Sequence, residues 1–250
     1  MSLEFLSDWK FWSFTVAFAA LILSQLPPIN LWFKKAKLDL ELYSRVHLTH
    51  KVGNPNVQMH MIIRNVGGRN VRIKSINIDI ERDGKLVDSL EAQNYLPDPL
   101  NNQSVLFTSF SLEPNSEWSN RVNLLNFFDR EEEKVYKNSE KNLREEILRL
   151  RKDLAENDKT IVQASDGFVK PFIEFFNKKF IWQPGDYKFH INIITASEDV
   201  YLKKSFRFTL FESQSDDLKS YAKDFNSGYG IMLDTNDHSG VLIQIEEKDG

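Results

Sequence analysis

The 250-residue chain contains no cysteine, which removes disulfides, thiol chemistry and thiolate metal sites together. It also lacks a Gly-x-Ser-x-Gly elbow, a His-Glu-x-x-His pair, a phosphate-binding Gly-Lys-Ser/Thr loop and a Gly-x-Gly-x-x-Gly turn. The common signatures of hydrolases, metalloproteases and nucleotide-binding proteins are therefore missing. There is no basic excess: the formal net charge is -4 and the sequence pI about 5.8, which argues against a dedicated nucleic-acid surface. Histidine is scarce, with five in all. His47 and His50 fall on one strand at a spacing that points them to opposite faces, and His60 lies on the next strand, so no shared metal site is expected. Neither a cofactor nor a catalytic constellation is expected.

One long apolar run is present. From Phe11 to Leu26 the chain is almost wholly apolar, with Trp9 and Trp12 at one end and Trp32 beyond the other, and with Lys34, Lys35 and Lys37 following. Trp9, Trp12, Phe14, Leu21, Leu23, Trp32, Lys34 and Lys35 read as a membrane anchor with its basic flank over residues 1–37. Crossing a hydrocarbon core of about 30 Å takes roughly 20 apolar residues, a length reached only if Gln25, Pro27, Pro28 and Asn30 lie near the interface. An interfacial segment and a cleaved secretory signal are the alternatives. The second is the weaker, because no Ala-x-Ala site follows and Glu4 and Asp8 precede the run. The lysines after the run orient the remainder toward the cytoplasm. Asn102-Gln103-Ser104 matches a glycosylation sequon and is read as chance.

Hydrophobic residues make up 41 % of the chain and phenylalanine is frequent at 19, so the region after the anchor has ample material for a core. Leu38, Leu40, Leu42, Val46 and Leu48 alternate with polar positions, the period of a strand with one buried face. Val57–Arg64 and Val71–Glu81 follow, the latter with an irregularity near Lys74 and Ser75. Asp83-Gly84 marks a hairpin returning through Leu86–Leu90. Val105–Leu112 and Trp118–Leu125 are expected to pair around Glu113-Pro114-Asn115-Ser116, and Tyr187–Ile193 to pair with Tyr201–Phe211. Seven or more short strands predict an antiparallel β-sandwich over 38–128 and 181–250. The turn grammar of Asn65–Arg72 and of Trp182–Tyr187 resembles that of immunoglobulin-like domains. This resemblance implies an immunoglobulin-like sandwich without the cysteine pair, and it transfers no functional residue.

Residues 129–180 interrupt the strands with a helical insertion. Asp129 and Glu132 form a capping-box start, and neither glycine nor proline occurs until Gly167. Tyr136, Leu143, Ile147, Leu150, Leu154 and Ile161 make a narrow heptad stripe on a helix otherwise dense with mixed charge. Such a stripe suits either packing on the chain's own domain or an intermolecular seam. Leu143, Ile147, Leu150 and Leu154 are thus candidate partner-binding residues, for self-association or a protein partner through residues 129–161. A second helix over Phe168–Phe180 gathers Phe168, Phe172, Phe175 and Phe176 on one side, as core packing does. Asp234, Asn236, Asp237 and His238 superficially resemble the start of a calcium loop, but Ser239 and Ile245 stand where that loop demands Gly and Glu, so a hairpin turn is expected.

The fold expected is mainly β with an α insertion: an N-terminal transmembrane helix followed by an antiparallel β-sandwich. The function expected is that of a single-pass, non-enzymatic interaction or scaffold protein of the cell membrane, with the bilayer and a protein as its partners and no nucleic acid. Two alternatives stand beside it: a bacterial membrane effector of an antiviral defence system, and a hydrolase with a dispersed site.

Overall fold

A computed structural model of the chain describes residues 9–25, 34–97, 103–152, 154, 160–233 and 239–248. Helix α1 is Trp9–Gln25. The strands are β1 Leu38–Lys51, β2 Asn54–Asn65, β3 Val71–Arg82, β4 Lys85–Leu96, β5 Val105–Leu106, β6 Phe110–Leu112 and β7 Glu117–Leu125, then β8 Gly185–Thr195 and β9 Tyr201–Leu210. Helices α2 (Arg130–Lys152) and α3 (Asp166–Lys179) lie between β7 and β8. Helix α4 (Glu212–Ser220) continues into a 3₁₀ segment Tyr221–Ser227, and the chain closes with β10 Val241–Gln244 and β11 Glu246–Glu247.

The strands alternate buried and half-exposed positions, most regularly in β2 and β8, as a period of two on a half-buried sheet requires. They join in one antiparallel sheet in the order β10-β1-β2-β7-β4-β3-β8-β9-β11. Its two ends belong to consecutive strands: β10 pairs with β1 and β11 pairs with β9. A single segment, Val241–Glu247, thereby bridges both edges and curls the sheet nearly into a barrel. Between them the Ile245 N–H donates to Ser44 O at 2.9 Å, and the Lys248 N–H donates to Ser205 O at 2.9 Å on the other side. Covering both edges removes the free strand margins that invite aggregation. The interior is filled by aliphatic residues of every long strand, among them Leu40, Met61, Ile78, Val122 and Ile191, with Trp182 wholly buried at one end.

The expected mainly β fold with a helical insertion is observed. Nine of its strands form one continuous path with β5 and β6 attached beside it, and three expectations change in detail. Val105–Leu112 and Trp118–Leu125 do not pair with each other: β5 lies on β4, β6 on β3, and β7 runs between β2 and β4. Only their side chains meet, with the Phe110 and Trp118 rings stacked at 4.9 Å. The crossing is fastened by buried Asn65, which donates to Leu112 O and Arg69 O while its N–H donates to Ser116 O. Second, no helix among the described residues is long and apolar enough to cross a membrane. The 17 described residues of α1 rise about 25 Å, short of a hydrocarbon core of about 30 Å. Third, β4 continues well past Leu90, to Leu96. The Asp83-Gly84 hairpin is present, with both residues at positive φ (50° and 80°) as its tight turn demands. The irregularity near Lys74 is also present, as a register shift between Ile73 and Ser75.

Candidate functional site

Three surfaces carry the residues singled out in the sequence. The first is α1. Trp9 (73 % exposed), Phe14 (69 %) and Leu21 (59 %) are bare, together with Trp12, Val16, Phe18 and Ile22. At 100° per residue these seven side chains surround the helix. The hydroxyls that would break the apolar surface are turned inward along it: Ser13 donates to Trp9 O, Thr15 to Phe11 O and Ser24 to Leu21 O, at 2.7–3.0 Å. Backbone carbonyls thus satisfy groups that would otherwise need water. Leu23 lies in α1, but its side chain is outside the described residues, as is all of Trp32. Lys34 and Lys35 are exposed on the segment that leads into β1.

The second surface is the helical cap. Capping begins as the sequence indicates, since Asp129 Oδ1 accepts from the N–H of Glu131 and Glu132 at 2.9 and 2.8 Å. Glu132 also receives Lys178 and Lys179 of α3, each at 2.8 Å, which ties the two helices together. Burial acts to raise its carboxyl, but the two lysine hydrogen bonds, the charge of Lys179 and the Asp129 N–H outweigh it and hold the group down at about 2. Along the stripe, Tyr136, Leu143 and Ile147 are buried in a second core made with Phe172, Phe175, Phe176, Phe225 and Ile231. Tyr136 donates to Ile231 O at 3.1 Å, and burial pushes its hydroxyl up. Leu150 and Leu154 are half-buried, and Ile161 is exposed. The candidate partner residues therefore divide, with Leu143 and Ile147 covered by this chain's own aromatics and Leu150 and Leu154 at the edge of that cover.

The third surface is a polar row on the outside of the barrel. His190 Nδ1 lies 2.8 Å from Ser205 Oγ and its Nε2 lies 3.1 Å from Glu81 Oε2, with Lys188 Nζ also on Glu81 at 3.0 Å. The hydrogen bonds of His190 and then of Lys188 lower the Glu81 carboxyl. Serine, imidazole and carboxylate in sequence are the elements of nucleophile activation, a combination that strand spacing hid because the three come from β9, β8 and β3. Acyl transfer also needs convergent N–H donors for an oxyanion. Here β9 is laddered to β8 on one side and β11 on the other through Ser205 and its neighbours. The row is a cross-strand side-chain network on the outer face of the sheet.

The other described histidines are held singly. His50 is buried among Phe176, Phe180 and Tyr221; its Nδ1 accepts the Gly53 N–H at 3.0 Å and its Nε2 meets Leu218 O at 2.9 Å, which places the proton on Nε2. His47 bonds Ser239 O, and His60 meets Ser119 Oγ at 2.9 Å. His47 is half-exposed where His50 is buried, so the two do face apart. Among the described residues no group of three His, Cys, Asp or Glu could hold a metal ion. The cluster Asp234–His238 lies outside the described residues. An opening of about 950 Å³ runs where the ladder lapses between β9 and β10. Its rim charges are largely self-paired, as Arg207 with Glu246 and Lys188 with Glu81.

No protein-family model matches the chain, and no curated protein matches it. A solved structure described as a protein from Archaeoglobus fulgidus is similar at 8 % identity and a TM-score of 0.26, over 70 % of this chain and 94 % of that one.

Proposed function

We propose that this chain is a bilayer-held, non-enzymatic interaction protein: α1 engages lipid, and the β domain with its helical cap stands on the cytoplasmic side to meet a protein partner. The single observation that carries the reading is α1 itself, whose exposed apolar side chains from Trp9 to Ile22 surround it and whose hydroxyls are bonded within the helix. No other described element packs extensively on it. Contiguous apolar surface of this size on a folded protein calls for lipid or a partner, and an all-round apolar helix suits lipid better than a one-sided interface. Lys34, Lys35 and Lys37 set the orientation. The immunoglobulin-like strand grammar belongs to the same proposal, as a framework that carries a recognition surface. The half-buried Leu150 and Leu154 are the part of the stripe left for a partner, with exposed Leu148 beside them on α2.

The test is flotation of the full chain with phosphatidylcholine vesicles, joined to reporter fusions after Gly250. The chain should float and resist high-salt washing, and only the reporter that works in the cytoplasm should be active. A chain that stays in the aqueous fraction as a monodisperse species sinks the reading, and the opposite reporter pattern sinks the orientation.

A further inference from the structure

Where the segment after α1 reaches the β domain, it docks by its backbone: the Gly68 N–H donates to Lys35 O at 3.1 Å, and the N–H groups of Val66 and Gly67 donate to Lys37 O at 2.9 and 3.1 Å. The approach is so close that a Cβ on Gly67 would meet Lys35 O and Lys37 N, both at 2.4 Å. This docking builds one wall of a cavity of about 640 Å³. Its other walls are the turn before β3 and the turn after β8. Three cations line it, Lys35, Arg69 and Arg72, against one carboxylate, Asp199, with Glu198 beside it. Lys34 and Lys37 flank it in sequence.

The cavity is held by buried bonds. Asn65, with no exposed surface, donates to Arg69 O at 2.8 Å and accepts the Gly67 N–H. The Ala196 N–H donates to Arg72 O at 2.8 Å, and Thr195 donates to the carbonyls of Ser197 and Val200. Of the cations, Arg72 donates to Ser109 Oγ at 2.9 Å, and among the described residues none of the three forms an ion pair with a carboxylate. Three cations against one carboxylate leave the cleft with a positive excess that suits an anion, and guanidinium groups fit the oxygens of phosphate. Nine residues of chain lie between Gln25 and Lys35, a tether of at most about 35 Å, which lets the cleft reach the headgroups of whatever layer α1 occupies.

We infer that this cleft binds the phosphate-bearing headgroup of an anionic phospholipid, adding a charge-selective contact to the apolar one made by α1. The inference rests on the lipid-bound reading of α1, and its test separates the two. The full chain, its Arg69→Gln/Arg72→Gln variant and its Arg69→Lys/Arg72→Lys variant are titrated with phosphatidylcholine vesicles and with vesicles that also contain phosphatidylserine. The parent should prefer the anionic vesicles. Neutralising both arginines should cut that preference about thirty-fold, from roughly fivefold for each juxtamembrane charge, while leaving phosphatidylcholine binding and melting temperature unchanged. The lysine variant should keep most of the preference.

Equal binding of the parent to both vesicles overturns the headgroup site and leaves α1 as the anchor. Binding to anionic vesicles alone, lost in the glutamine variant, sustains the site and overturns the α1 reading. No binding to either overturns both. Inorganic phosphate that displaces the parent from anionic vesicles at low millimolar concentration would assign the cleft to a free anion and overturn the lipid assignment.

Discussion

Helices α1 and α2 make opposite use of apolar residues. α1 is nearly all apolar and most of its described side chains are exposed; α2 is mostly charged, yet Tyr136, Leu143 and Ile147 on it are buried, with Leu143 wholly inaccessible. Total hydrophobicity does not decide which helix a domain absorbs. A helix is covered by its own fold when its apolar groups form a stripe as narrow as the surface that receives them. In α2 that stripe meets the phenylalanines of α3 and the 3₁₀ segment, and the ring of Tyr136 lies 5.5 Å from that of Phe172, edge to face. An apolar cylinder such as α1 offers no polar face to leave in water, so one-sided docking would cover only part of it.

The contrast can be broken at four points. The largest effect is expected from Phe14→Asp with Phe18→Asp, since each charge near the centre of a lipid-inserted helix costs about 3 kcal/mol. Flotation should fall by at least about a thousandfold while the thermal transition of the β domain stays where it was. A melting temperature that falls in step would make α1 part of the core and erase the difference between the helices.

Leu143→Ala should act in the opposite way, lowering stability by about 2–5 kcal/mol with no change of mass by light scattering. Dissociation of an oligomer into folded protomers would instead place the stripe at an intermolecular seam. Glu132→Gln should come next. Its carboxyl sits near 2 in the folded chain against an ordinary 4.5, so the folded state gains from the ionised form. The gain is fully present above the ordinary value and is lost as pH falls from about 4.5 through about 2. Allowing for the exposure of Lys178, the substitution should cost about 2–3 kcal/mol at neutral pH and flatten acid unfolding over that window, as followed by circular dichroism. Leu150→Ala, at the half-buried end of the stripe, should cost about 1 kcal/mol or less by thermal melting, which would sharpen the boundary between covered and uncovered parts of α2.

Much of the β framework was legible because a period of two survives in any strand with one buried face, as β2 and β8 show residue by residue. The Asp83-Gly84 hairpin and the Asp129 cap were legible because their hydrogen bonds close within a few residues. Pairing over longer distances was not. Val105–Leu112 beside Trp118–Leu125 suggested a hairpin, yet Asn65, some fifty residues earlier in the chain, pins the connection so that β6 and β7 join different neighbours. The Ser205–His190–Glu81 row escaped notice for the same reason, since those residues become neighbours only through strand register.

What the sequence determined by itself was local: where strands alternate, where turns and caps fall, that α1 is apolar on every side and that α2 carries one stripe. These follow from backbone sterics and side-chain spacing, which act over a few residues. Tertiary structure alone decided which edges the final segment Val241–Glu247 bridges, that Leu143 and Ile147 face this chain's own phenylalanines, and that Lys35, Arg69 and Arg72 share a cleft. Each of those depends on contacts between segments far apart in the chain. Their free energy comes from burying area and matching hydrogen bonds across the whole domain, so it leaves no repeating mark on the residues nearby.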